Sequence, residues 1–448
     1  MFILIFQIIS INTCAHIINI IKSTPPYLQM KADEIFIQIA AYRDPELIPT
    51  IKDCLSKARF PDNLVFSIAW QHSPNDAWDR LDAFSDDPRF KIIDIDCNES
   101  KGACWARNKL QQQYDDEEYT LQLDSHHRFI EGWDQELIAM YQNLKSNGHE
   151  KPLLTSYAPS YNPRNDPADR TMHPYKMNFD RFIPEGAVFF LPATIDNHEV
   201  LTEPIPARFY SAHFAFTTGL FVKEVPHDPE LYFHGEEISI AVRAYTWGYD
   251  LFHPHKPILW HEYTREGRKK QWDDDSEWWK KNSDSHLRNR KLFEMDGLTK
   301  DIDFGMYDFG TKRTLADYER YAGISFKRRR AQNYTLEHKL PPNPELKDDE
   351  CENDVAFTSF THCIELQKNQ FTENENDYHF WAIIYEDELG ASLHRRDCNE
   401  DDIRGYLNAT DAIIRIQVEF NTTSKPFKWM VWPHSKTKGW LTKIANKL

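Results

Sequence analysis

The stretch YTLQLDSHHRF (119–129) sets the reading of the whole chain. Tyr119 to Leu123 form a short apolar run with the length of a buried strand, and Asp124-Ser125-His126 follow at its carboxyl end. If the chain stays extended there, residues i and i+2 point the same way, so Asp124 and His126 converge. In open α/β sheets, ligands collect beyond the carboxyl ends of the strands. One carboxylate oxygen and one imidazole nitrogen at that place make half of a site for a divalent metal such as Mn²⁺, with Mg²⁺ as the alternative. Taken alone, the pair reads equally well as a strand-end Asp capping a turn beside a surface His.

Outward from this stretch, apolar runs alternate with amphipathic ones. IFIQIAA (35–41), LVFSIAW (64–70) and FKIIDI (90–95) read as three further strands. Leu47, Ile51, Leu55 and Ala58 recur at helical spacing, and helices are expected over Gly102–Tyr114 and Glu131–Lys145. Strands apolar on both faces, alternating with helices, predict an α/β fold with a mainly parallel central sheet covered by helices. The prolines at 159–167 suggest a long irregular excursion over 157–184. AVFFL (187–191), SAHFAF (211–216) and a helix over Glu236–Tyr245 continue the domain. The charged, Trp-rich stretch 265–291 reads as helical and lying on the outside. PPNPELKDDE (341–350) is the clearest linker. It divides a domain over 31–340 from a smaller, mostly β domain over 351–448, where FTSFTHCIEL (357–366), YHFWAIIYE (378–386), IIRIQVEF (413–420) and FKWMVW (427–432) read as strands.

Composition narrows the functional classes. The 448 residues carry 53 Lys and Arg against 70 Asp and Glu, a formal net charge of −17, so no nucleic acid is expected as a partner. Apolar residues at 41% can fill a sizeable core, which excludes a largely disordered chain. The seven cysteines cannot all pair within one chain and include no Cys-x-x-Cys, so a reducing, cytoplasmic setting is expected. Residues 1–30 form an apolar leader or extension. Ser10, Asn12, Thr13, His16 and Asn19 interrupt its first 22 residues, making a poor spanning helix, and membrane anchoring is expected only through them.

Other candidate residues gather around the same sheet edge. Gly102 opens the helix carrying Arg107, where free backbone N–H groups and a guanidinium suit an anion or orient an acidic residue. Tyr42-Arg43-Asp44 lies beyond the first strand, on the same crevice. Glu236 and Glu237 start a helix, placed to hold hydroxyl groups. His261 ends the apolar run Ile258-Leu259-Trp260 and is a candidate third ligand. Such a site suits the departure of a nucleotide diphosphate from a sugar, because a divalent ion with Arg and N–H donors stabilises the developing charge.

IAAYRDPEL (39–47), the run from KGACWARN (101–108) to LQLDSHHRF (121–129), and YFHGEEISIAVRAYTWGYDLFHP (232–254) resemble the N-acetylglucosaminyltransferases that modify hydroxyproline. The founding members act in the cytoplasm on the adaptor subunit of a cullin-type ubiquitin ligase, and their catalytic domain is similar to that of the polypeptide GalNAc transferases. The resemblance spans roughly 33–265. It implies a GT-A fold, UDP-GlcNAc as donor, Mn²⁺ as cofactor, retention of anomeric configuration, and a protein acceptor, in the founding members that ubiquitin-ligase adaptor. It also implies Asp124, His126 and His261 as metal ligands, and Glu236 as a contact to the donor sugar. Glu237 stands where the GalNAc transferases carry Asn, so that contact is not carried over. Tyr42, Arg43, Asp44, Gly102, Arg107 and Asp124 are expected to contact the nucleotide sugar, and Glu236 and Glu237 to serve catalysis. If configuration inverts instead, Glu237 is the first candidate base. Two other classes stay open: a metal-dependent hydrolase of nucleotide sugars, and a non-catalytic glycan- or peptide-binding protein that uses Trp429, Trp432 and Trp440.

Overall fold

A computed structural model describes residues 31–183, 185–264, 268–345, 355–356, 358–422 and 424–448. The expectations for residues 1–30 and for 346–350 lie outside the described residues. No described helix is long and apolar enough to cross a membrane.

The core is an eight-stranded sheet in the order β3-β2-β1-β4-β10-β6-β11-β9. Its strands are β1 (Lys31–Tyr42), β2 (Leu64–His72), β3 (Phe90–Asp96), β4 (Glu117–Leu123), β6 (Pro152–Thr155), β9 (Ile205–Pro206), β10 (Phe214–Thr218) and β11 (Asp250–His253). β1 runs parallel to β2 and β4, β2 to β3, and β6 to β11. β10 is antiparallel to both β4 and β6, and β9 to β11, so the sheet is mixed but largely parallel. Helices α1 (Leu47–Lys57), α2 (Ala103–Gln111) and α3 (Trp133–Ser146) cover it. Ile35, Phe36, Ile37 and Ile39 of β1 are all buried, which is why this strand reads as an unbroken apolar run.

Three expectations need correction. The excursion after 157 ends in a strand, β7 (Tyr175–Phe182), which pairs antiparallel with β8 (Val188–Thr194) in a separate hairpin. Met177, Phe179 and Phe182 are buried there while Lys176 and Arg181 make ion pairs, a strand pattern that the preceding prolines obscure. The helix after Gly102 is shorter than expected, ending at Gln111. The stretch 265–291 is helical over Gln271–Asp274 and over α5 (Trp278–Leu292, numbered after α4, Glu236–Thr246), but Arg268 to Trp272 line the central cavity rather than the outside.

The start of the Pro-rich stretch packs on the larger domain: Arg208 Nη2 donates to Asn343 Oδ1 at 2.6 Å, and Asn343 Nδ2 to Thr335 Oγ1 at 2.9 Å. Beyond it the chain forms smaller antiparallel sheets, one pairing Thr358–Gln367 with Ile413–Thr422, another built on Tyr378–Glu386 and Lys428–Ser435. Trp381, Ile383, Ile414, Ile416 and Trp429 fill a hydrophobic cluster of their own there. The strand Ser392–Cys398 and the helix Glu400–Asn408 carry too few apolar residues to announce themselves in sequence.

Candidate active site

β4 delivers Asp124, the turn after it delivers His126, and β12 (Leu259–His261) delivers His261. β12 pairs antiparallel with β5 (His127–Phe129), setting His261 opposite His127. That register brings the later histidine back to the end of β4. Asp124 Oδ2 lies 3.4 Å from His261 Nε2 and 3.9 Å from His126 Nε2. One ligand atom from each of the three residues falls within 4.8 Å of the others. Burial, reinforced by His126, holds the His261 imidazole well below its ordinary pKa and therefore neutral, the form that binds a metal. An oxygen and two imidazole nitrogens, with Asp124 open to the cavity, fit a divalent ion such as Mn²⁺ or Mg²⁺.

Arg107 points inward rather than along the helix surface. Its Nη2 donates to Asp124 Oδ1 at 2.9 Å, and Nη1 lies 3.6 Å from Glu236. Gly102 makes this geometry possible. Its φ is +111°, and a Cβ there would sit 2.7 Å from the Tyr232 carbonyl oxygen. Glu236 and Glu237 form the first turn of α4 behind Gly235, at φ +99°. Glu237 accepts from the Ala212 N–H at 2.9 Å and from the Tyr157 hydroxyl at 3.2 Å. Burial pushes both carboxyl groups up; Arg107 opposes this at Glu236, while the charge of Glu236 adds to it at Glu237.

The Tyr42-Arg43-Asp44 trio divides. Arg43 is engaged by Asp76 and Asp274, and the Tyr42 hydroxyl donates to Asp274 at 2.8 Å. Asp44 turns the other way, toward His126 Nδ1 at 2.7 Å. Residues that the sequence reading did not single out complete the site. His213 stacks on His261 with ring centroids 4.2 Å apart, Tyr157 holds Glu237, and Arg268 reaches Asp44 at 3.0 Å. His213 sits inside an apolar run, and Arg268 inside a charged one, so neither carries a local signal. A cavity of about 690 Å³ joins these groups, with Tyr42, Gly102, Glu236, Arg268 and Trp272 on its walls. Its size falls within the range of small-molecule sites.

A largely parallel sheet with Asp-x-His at the end of its fourth strand has the GT-A arrangement. Residues 34–85 and 80–328 match the family model described as Glycosyltransferase (GlcNAc), and the chain belongs to that family. Among solved structures, the chain is similar to GalNAc-T7 crystallised with UDP, GalNAc and Mn²⁺, at 14% identity and TM-score 0.42 over 58% of this chain and 48% of that one. It is also similar to S. aureus TarS, at 10% identity and TM-score 0.35 over 93% of this chain and 77% of that one. A TarS 1–349 structure in complex with UDP-GlcNAc matches at 13% identity and TM-score 0.33, over 60% and 76%. The chain thus spans about half the length of the GalNAc-T7 chain. No curated protein sequence matches it.

Proposed function

We propose that the protein is a glycosyltransferase that moves N-acetylglucosamine from UDP-GlcNAc to a protein hydroxyl, hydroxyproline being the expected acceptor, with retention of configuration. The observation that carries this reading is the Asp124–His126–His261 cluster opening into a cavity within the family-matched residues. In the reaction the bond between the sugar C1 and the diphosphate oxygen breaks, a bond forms from C1 to the acceptor oxygen, and the acceptor's hydroxyl proton passes to the departing diphosphate oxygen. A bound divalent ion supplies electrophilic stabilisation of the charge growing on the departing diphosphate. Asp124, His126 and His261 would hold it. Arg107 fixes Asp124 through Oδ1 and so leaves Oδ2 facing both histidines. Lys269 and Lys270 on the cavity wall add positive charge suited to a diphosphate. Glu236 and Glu237, at the mouth of α4, are placed to bind sugar hydroxyls, and Gly102 lets Tyr232 close against the helix start.

The setting in this reading is cytoplasmic, which the free cysteines Cys54, Cys97, Cys104, Cys363 and Cys398 support. A ubiquitin-ligase adaptor-like protein is the proposed partner, and an accessory role is proposed for residues 351–448. The test is a screen of UDP sugars with Mn²⁺, followed by mass spectrometry of modified proteins from the native cell. Selective, acceptor-dependent turnover of UDP-GlcNAc is expected. Equally fast hydrolysis with no acceptor would replace the reading with a nucleotide-sugar hydrolase, and a β-linked product would replace retention with inversion.

A further inference from the structure

We infer that Asp44 is a positioning residue for His126: its carboxylate fixes the imidazole with Nδ1–H donated to Oδ2, so that Nε2 faces Asp124 and His261. This rests on the metal reading above. Asp44 Oδ2 accepts from His126 Nδ1 at 2.7 Å, from Ser125 Oγ at 2.7 Å and from Arg268 Nη1 at 3.0 Å. Oδ1 accepts from the Glu46 N–H at 2.9 Å. Three donors converge on Oδ2 and one reaches Oδ1, and the side chain is 4% exposed, so Asp44 is held chiefly by its protein partners. Arg268 Nη1 also touches His126 Nδ1, but two acceptors cannot share the 2.7 Å contact between Nδ1 and the Asp44 carboxylate, so the hydrogen lies on Nδ1 and points at Oδ2. The productive partner of Arg268 is therefore Asp44, and Arg268 is itself held by Glu262 at 2.7 Å.

The turn beneath is equally fixed. Thr50 Oγ1 shares its one hydrogen between the carbonyls of Ser125 and His127 and accepts from the His127 N–H at 2.8 Å. The two histidines of the cluster are thus held by different means. His261 Nδ1 is buried with no hydrogen-bond partner, and its ring is set by packing on His213 and by the β5–β12 register. His126 lies in the bend before β5, where its carbonyl accepts from the Glu262 N–H at 3.2 Å, and its imidazole is oriented by Asp44. A ligand imidazole whose other nitrogen donates to a carboxylate has its tautomer and ring angle fixed, and loss of such a partner commonly costs 10–100-fold in metal affinity.

The experiment uses the full chain with D44A, D44N and S125A. Long-range ¹H–¹⁵N correlation spectra of the metal-free protein report the histidine tautomers, and His126 is identified by the signal lost in H126Q. Electron paramagnetic resonance of free Mn²⁺ gives the affinity, and circular dichroism checks the fold. Expected are the Nδ1–H tautomer in the wild type, a shift toward Nε2–H in D44A, and an Mn²⁺ affinity lowered about 10–100-fold in D44A with the circular dichroism unchanged. D44N keeps one acceptor oxygen and S125A keeps the carboxylate, so both lose less; they stand in for D44A if it does not fold. An Nε2–H tautomer in the wild type, or wild-type Mn²⁺ affinity in folded D44A and D44N, would overturn the role given to Asp44. A wild type that binds no Mn²⁺ would overturn the metal reading itself, separately from the tautomer result.

Discussion

Replacing Arg107 with Met should expose the electrostatic arrangement under the site. The Arg107 side chain is 6% exposed and that of Glu236 is 8%, with 3.6 Å between them, while Asp124 takes the second fork of the guanidinium at 2.9 Å. Met fills a similar volume but leaves Glu236 buried beside Glu237 with no cation. Removing one partner of a buried pair costs about 3–5 kcal/mol, because the remaining charge stays desolvated. At roughly 2 °C per kcal/mol for a large domain, the metal-free protein should melt about 6–10 °C lower. Differential scanning calorimetry in chelator-treated buffer measures this. The double variant R107M/E236Q removes both charges and should recover a large part of the loss, a non-additivity expected only for residues in direct contact. An R107M protein that melts within about 1 °C of wild type, or a double variant no better than the single one, would refute the reasoning.

Asp124→Ala should abolish Mn²⁺-dependent transfer and Mn²⁺ binding while leaving the circular dichroism unchanged, because the side chain opens to the cavity; full activity of the folded variant would remove Asp124 from the metal site. Gly102→Ala places a Cβ against the Tyr232 carbonyl at positive φ, and should cost about 1–3 kcal/mol on thermal melting and weaken donor binding through the displaced α2. Acid should destabilise the fold through buried neutral histidines. His127, His213, His227 and His261 are held well below their ordinary pKa, chiefly by burial. Below about 6.5 the unfolded chain takes up protons that the folded one refuses, so each contributes a loss of about 1 kcal/mol between pH 6.5 and 5.5. The raised carboxyl groups of Glu236 and Glu237 act with the opposite sign, so the share of one histidine is best isolated by His227→Gln, whose melting temperature should fall less between these pH values than that of the wild type. An equal fall in both would contradict the assignment at His227.

Much of the fold was legible because β1, β2 and β4 are buried on both faces, which leaves unbroken apolar runs in the sequence. The direction of β10 was not. SAHFAF reads as an apolar run, and whether it pairs with or against β4 depends on the path of the preceding chain rather than on its residues. The β7–β8 hairpin was hidden by the prolines before it. At the site, Asp124 and His126 were legible together because strand geometry relates i and i+2. His261 reaches Asp124 across 137 residues through its pairing with β5, and is visible in the sequence only through its place after an apolar run and through the family resemblance. Asp44 lines the cavity, as a donor contact would, and its oxygens also hold His126, Ser125 and Arg268, a role that no local pattern marks. Arg268 lies 224 positions from Asp44 in a charge-rich run, and no local periodicity marks a partnership across that distance.

Asp124, His126 and His261 are proposed to hold one divalent ion within the cavity. Anomalous diffraction from crystals of the full chain soaked with Mn²⁺ and UDP tests it most directly. A single strong anomalous peak bonded to the Asp124 carboxylate and to Nε2 of both histidines, adjacent to the UDP phosphates, is expected. Ordered UDP with no peak among these three residues, or with its ion held by other side chains, would contradict that assignment.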